Sequence, residues 1–138
     1  MMEERKENRE ETKMDMVSLL LRPELPNVLK ELRTARFKVT RLSQILGTDA
    51  VFTLRGLPYG KVQKLRQSGD PDVQIQILLQ GCVDPDLKDP ALKERFGGVT
   101  PVETVKRMLL AGEIEDLSRE VERLCGFRRS TIEEVKNG

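Results

Sequence analysis

The side chains able to do chemistry are few: two cysteines, Cys82 and Cys125, 24 Lys+Arg against 23 Asp+Glu, and no histidine. Without an imidazole, Ser-His-Asp and Cys-His hydrolysis, H-E-x-x-H zinc sites and mixed Cys/His fingers are closed. The two cysteines stand far apart among aliphatic neighbours, the setting of buried free thiols in a reducing compartment. Gly56-Leu57-Pro58-Tyr59-Gly60-Lys61 has glycines and a lysine but not the G-x-x-x-x-G-K-[ST] spacing, and Pro58 removes an amide that a phosphate cradle would use. Asp84-Pro85-Asp86-Leu87-Lys88-Asp89 imitates a calcium loop only in its acids: the sixth-position glycine is missing, and Arg95 stands where the bidentate glutamate belongs. Glu113 and Asp116 are spaced for acid–base work, yet beside Arg119 and Arg123 on a helix they read as solvated ion-pair partners. The sequence therefore nominates no catalytic residue, no cofactor and no metal ligand, and the expected protein is not an enzyme.

Binding is the chemistry that remains, and two segments offer it. Between residues 22 and 69 there are ten Lys/Arg and three acids, and Arg33, Arg36, Lys38, Arg41 and Arg55 form a candidate basic surface. Such a surface on a strand pair can lie along phosphates. Base-stacking aromatics are missing, since tryptophan is absent and Tyr59 is the single tyrosine, so nucleic acid is the alternative reading rather than the first. Cationic edge strands also serve simply to prevent sheet-to-sheet association. The second segment is MDMVSLLLRPELP, in which Met14, Val17, Leu20 and Leu21 share one helical stripe and are candidate partner-binding residues. Pro23 and Pro26 stop it after about two turns, too short to stand alone. It either completes the core or acts as an arm that engages a partner helix in a groove.

The elements that must position these residues follow from periodicity. At 138 residues and 4% aromatics, one domain with an aliphatic core is expected. Residues 1 to 13 are almost wholly polar and predict disorder or a frayed charged helix. Ala35, Phe37 and Val39 alternate with polar neighbours, as do Phe52 and Leu54, so two short antiparallel strands are predicted with Gly47-Thr48-Asp49 in their connection. From Pro58 the period is helical. Asp70-Pro71-Asp72, Asp89-Pro90 and Thr100-Pro101-Val102-Glu103 are helix starts, and Ser68-Gly69, Gly97-Gly98 and Gly126 are stops. The helix after Asp72 carries apolar residues on more than one stripe and should be central; Cys82 is assigned to it. Ala111-Gly112-Glu113 interrupts the following helical run, a last helical turn is predicted at Ser130-Thr131-Ile132-Glu133, and Met108, Leu109 and Leu110 are assigned to the core. The expected fold is α+β: a small N-terminal antiparallel strand pair packed on a bundle of several short helices. Residues 1–21 would be a polar leader and arm and 22–138 one domain, with a strand module near 34–57 and a helical module near 58–136. No apolar run approaches the about 20 residues that span a bilayer, and MMEERKENREETK lacks the apolar stretch of an export signal, so a soluble cytoplasmic protein is expected.

The order of residues 81 to 127 resembles the phage tail assembly chaperones of the XkdN-like family, found in phages and prophages of Gram-positive bacteria. The matching features are Cys82-Val83, Pro85, Leu87, Asp89-Pro90, Leu92, Phe96-Gly97, Thr100-Pro101, Leu109-Leu110, Gly112-Glu113-Ile114, Leu117 and Gly126-Phe127. Upstream, leader leucines near Pro23-Glu24-Leu25-Pro26, two short strands and a helix with Leu65-Arg66 keep the family layout, although the loop from Gln67 to Asp72 is shorter than in many relatives. The resemblance implies a non-catalytic, ATP-independent chaperone in the host cytoplasm. It would bind the tape measure protein, keep it soluble and promote assembly of tail tube subunits around it, and would itself be absent from the mature virion. It further implies a gene between the tail tube and tape measure genes, and this chain would fit the shorter of two products made by programmed frameshifting.

The near-zero net charge of +1 averages unlike parts: residues 1 to 21 carry −2, residues 22 to 69 carry +7 and residues 70 to 138 carry −4. Bulk charge thus selects no partner, while segments of opposite sign leave self-association open.

Overall fold

The computed structural model describes residues 15–136, and these form two compact units that divide between Glu31 and Leu32. The first unit holds one helix, α1 (Met16–Leu20), whose amino end is capped by the Asp15 carboxylate accepting from Val17 N–H. Pro23 and Pro26 lie beyond it, as the sequence requires, and no α1 residue is buried.

The second unit is α+β, with a three-stranded antiparallel sheet in the order β1 (Thr34–Lys38), β2 (Val51–Arg55), β3 (Cys82–Asp84). Phe37 pairs with Phe52 and Ala35 with Leu54 on the inner face, where Phe52 and Leu54 are buried. The strand pair is not N-terminal, because the leader and α1 precede it. It is also not a plain hairpin: α2 (Thr40–Leu46) fills the connection and ends at Gly47, whose φ of 70° is the left-handed turn that glycine adopts without a Cβ clash. β3 lies where the sequence extends a helix, since Cys82 turns extended and pairs with Leu54 across an irregular register.

Five helices follow β2, α3 (Tyr59–Gln67), α4 (Val73–Gly81), α5 (Pro90–Phe96), α6 (Pro101–Met108) and α7 (Ala111–Leu124), and of these α7 packs on β2 and α4 on α7. α4 is central as its composition demands, with Ile75, Ile77, Leu78 and Leu79 buried. α7 buries Ile114, Leu117, Ser118, Val121 and Glu122, the 3-1-3-1 spacing of one helical stripe. Gly81 lets the two helices close up, because a Cβ there would lie 2.5 Å from Val121 Cγ1. Ser118 Oγ, fully buried, donates to Gln74 Oε1 at 2.7 Å and fastens α7 to α4.

The start signals divide into two kinds. Asp89 accepts from Ala91 N–H, and Thr100 Oγ1 accepts from Glu103 N–H while Glu103 reaches back to Val99 N–H, so α5 and α6 are capped by the residues the sequence marks. Asp70 instead accepts from Asp72 N–H in the turn before α4, and Asp72 makes no side-chain cap. Ala111-Gly112-Glu113 is the first turn of α7, not a break within it. Residues 131–136 form no helix, so the box at Ser130 is unused. Leu109 is core and Met108 half-buried, whereas Leu110 is exposed. No helix among the described residues is long and apolar enough to cross a membrane.

Candidate functional site

The arm is built from residues that favour burial and find none. Seven large apolar side chains between Met16 and Leu29 are each more than half exposed: Met16, Val17, Leu20, Leu21, Leu25, Val28 and Leu29. The buried aliphatic cluster of the second unit starts at Val39 and includes none of them. Of the four predicted arm residues, Val17, Leu20 and Leu21 are 59%, 57% and 77% exposed, while Met14 lies outside the described residues. The periodicity reading missed Leu25, Val28 and Leu29, which follow the prolines and have no helical repeat. Their signal is simply an apolar residue every few positions. Local bonds hold that stretch, with Arg22 bridging both oxygens of Glu24 and Asn27 Oδ1 accepting from Leu29 N–H. Covering one such side chain is worth about 1.5–3 kcal/mol, so the arm holds on the order of 10 kcal/mol of gross binding energy before ordering costs.

The predicted basic residues divide in the second unit. Arg36 and Lys38 extend from the outer face of β1, Arg55 ends β2 opposite Thr34, and Arg33 is exposed just before β1. No carboxylate lies within ion-pair distance of Arg33, Arg36 or Arg55 among the described residues, and Lys38 reaches only Asp49 at 3.7 Å. Arg41 leaves this group. Its Nε and Nη2 each donate at 2.9 Å to Glu113, and Nη2 also donates to the Met108 carbonyl at 3.1 Å. The Arg41 guanidinium holds the Glu113 carboxyl below its ordinary range, and Glu113 in turn raises Arg41.

Beside this pair runs a cleft of about 670 Å³ between β1, α2 and α7. Phe37, Val39 and Leu117 supply its apolar lining, and its charged wall is largely self-paired, Arg41 with Glu113 and Arg123 with Glu120. Neither thiol faces chemistry. Burial, with help from the Asp84 charge, pushes Cys82 up to about 12, and burial raises Cys125, whose Sγ accepts from Leu57 N–H at 3.1 Å. No group of acids and cysteines with metal-holding geometry occurs among the described residues. The surface carries exposed apolar side chains between Met16 and Leu29, a cationic outer face on β1 and a cleft beside α7.

The described fold is α+β, and the family comparison gives the class of protein. The model of the phage XkdN-like tail assembly chaperone proteins matches residues 1–137, and the chain belongs to that family. The crystal structure of the protein YqbN, a structural genomics target, has a similar fold: TM-score 0.61 at 18% identity, over 78% of this chain and 94% of that one. A search of curated proteins returns no match.

Proposed function

We propose that this tail assembly chaperone acts by binding the tape measure protein through the arm, keeping that long helical protein soluble while tail tube subunits assemble around it. The reading rests on one observation, the seven exposed apolar side chains between Met16 and Leu29. An apolar strip on a short element suits a helix-in-groove or helix-on-helix contact with an amphipathic partner. Holding by exchange of apolar contacts uses neither nucleotide nor nucleophile, so the action is non-catalytic and ATP-independent. It takes place in the host cytoplasm, and the protein departs before the virion matures.

Co-expression with the tape measure protein tests this. The tape measure protein is expected in the soluble fraction only when this chain is present, and deletion of residues 1–31, the whole first unit, should weaken capture while the second unit keeps its cooperative melt. Unchanged capture by the deletion variant overturns the role of the arm. Binding of DNA or RNA that falls steeply with salt, and vanishes on neutralising Arg36 and Lys38, would transfer the function to the basic face.

A further inference from the structure

β1 is an edge strand, and its register shows which of its groups are free. Val39 N–H donates to Ala50 carbonyl and Gly56 N–H donates to Arg33 carbonyl, so the odd-numbered residues of β1 exchange hydrogen bonds with β2. The N–H and C=O groups of Thr34, Arg36 and Lys38 therefore point away from the sheet, and no strand pairs with that edge among the described residues. The same three residues put their side chains on the outer face, while half-buried Ala35 and Phe37 face inward and Phe37 lines the cleft beside α7.

We infer that this edge receives an extended segment of a partner protein, added antiparallel to β1, in which acidic and apolar residues alternate. The alternation follows from the pleat. Residues opposite Arg36 and Lys38 share the outer face and meet cations, one with no carboxylate partner and one with only a distant one, whereas their neighbours turn inward toward Phe37 and the cleft. Positive charge on an edge strand repels a second copy of the same edge, which blunts self-pairing. It attracts an acidic strand, and Phe37, Val39 and Leu117 in the cleft beneath offer apolar contact to the alternate residues, which blunting alone does not require. Asp49 lies 3.7 Å from Lys38 and no carboxylate lies within ion-pair distance of Arg36 among the described residues, so the outer rim of β1 is cationic; Glu113, Asp116 and Glu120 line the cleft on the inner side. This inference stands apart from the arm and holds or fails independently of tape measure binding.

The test uses the full chain and a fluorescein-labelled peptide, Thr-Val-Glu-Val-Glu-Val-Thr, followed by anisotropy. The peptide is expected to bind, its lysine-for-glutamate counterpart not to, and Arg36→Glu with Lys38→Glu to weaken binding about tenfold or more. N-methylation of the two glutamates, whose N–H groups would face β1, should cost about tenfold, whereas N-methylation of the valines should cost little. That contrast is read on the peptide, so it does not depend on how any variant of the chain folds. Equal losses from both methylation patterns, equal binding of the lysine peptide, or a single-stranded oligonucleotide that binds more tightly than the acidic peptide and is released by salt would each overturn the inference.

Discussion

Glu113 closes a two-point ion pair with Arg41, 72 residues away in sequence, and with the same Oε1 accepts the Leu110 N–H at 2.7 Å. Leucine has no side-chain acceptor, so only the glutamate half of a capping box exists at α7, and the carboxylate both starts that helix and ties it to α2. Glu113→Gln should lower stability by about 1 kcal/mol, seen as a fall of a few degrees in melting temperature. The pH dependence has a definite sign. Arg41 holds the folded carboxyl below its ordinary value of 4.5, so the contribution is present above that value and is lost as pH falls through the lower folded one. The melting gap between the native chain and Glu113→Gln should therefore narrow from about pH 6 to about pH 3; a constant gap would mean that the pair does not carry it.

A second prediction concerns the closeness of α4 and α7. At Gly81 a Cβ would fall 2.5 and 2.6 Å from the two Val121 methyls and 3.1 Å from the Arg55 carbonyl, with fully buried Val121 unable to move aside. Gly81→Ala should cost about 1–3 kcal/mol in urea denaturation. Gly60, also helical, has nothing within 4 Å of its would-be Cβ, and Gly60→Ala should be neutral or stabilising by up to about 1 kcal/mol. Equal effects at the two positions would refute the packing argument.

What could be read in advance follows from how local each signal is. β1 and β2 were legible because Phe37, Phe52 and Leu54 alternate with polar residues, and α5 and α6 because Asp89 and Thr100 act through neighbours two or three residues away. α2 was not, although Leu42, Ile45 and Leu46 have helical spacing: the segment is only two turns long between two strand signals, and Leu42 alone of the three packs on the core. β3 is three residues held by pairing with a strand some thirty positions earlier, which no local pattern encodes. α1 was legible through the helical spacing of Val17 and Leu20 and through Pro23, which bars its continuation. Arg41 was placed with the other cations because its partner, Glu113, is distant in sequence and joined only by the fold.

The thiols give a third prediction. At pH 8 a group pushed up to about 12 is thiolate in about one molecule in ten thousand, and burial hinders access further. Alkylation of Cys82 by iodoacetamide in the native protein should be at least about a hundredfold slower than in denaturant. Cys125 should react before it, since burial raises that thiol less. Mass spectrometry of the labelled peptides gives the order directly, and rapid native labelling of Cys82 would contradict the raised thiol and its half-buried placement.

The arm gives the last. Leu20 and Leu21 are 57% and 77% exposed, so their removal opens no cavity and breaks no hydrogen bond. Leu20→Ser and Leu21→Ser, singly or together, should change the melting free energy by no more than about 0.5 kcal/mol. A surface that size, if it is where the tape measure protein docks, should nevertheless lose about 1.5–3 kcal/mol of binding for each leucine that was covered in the complex. That corresponds to roughly tenfold to a hundredfold in affinity. Calorimetry on the folded variants separates the two quantities. A loss of stability equal to the loss of binding would return these leucines to the core, whereas a loss of binding at constant stability makes the arm a docking element.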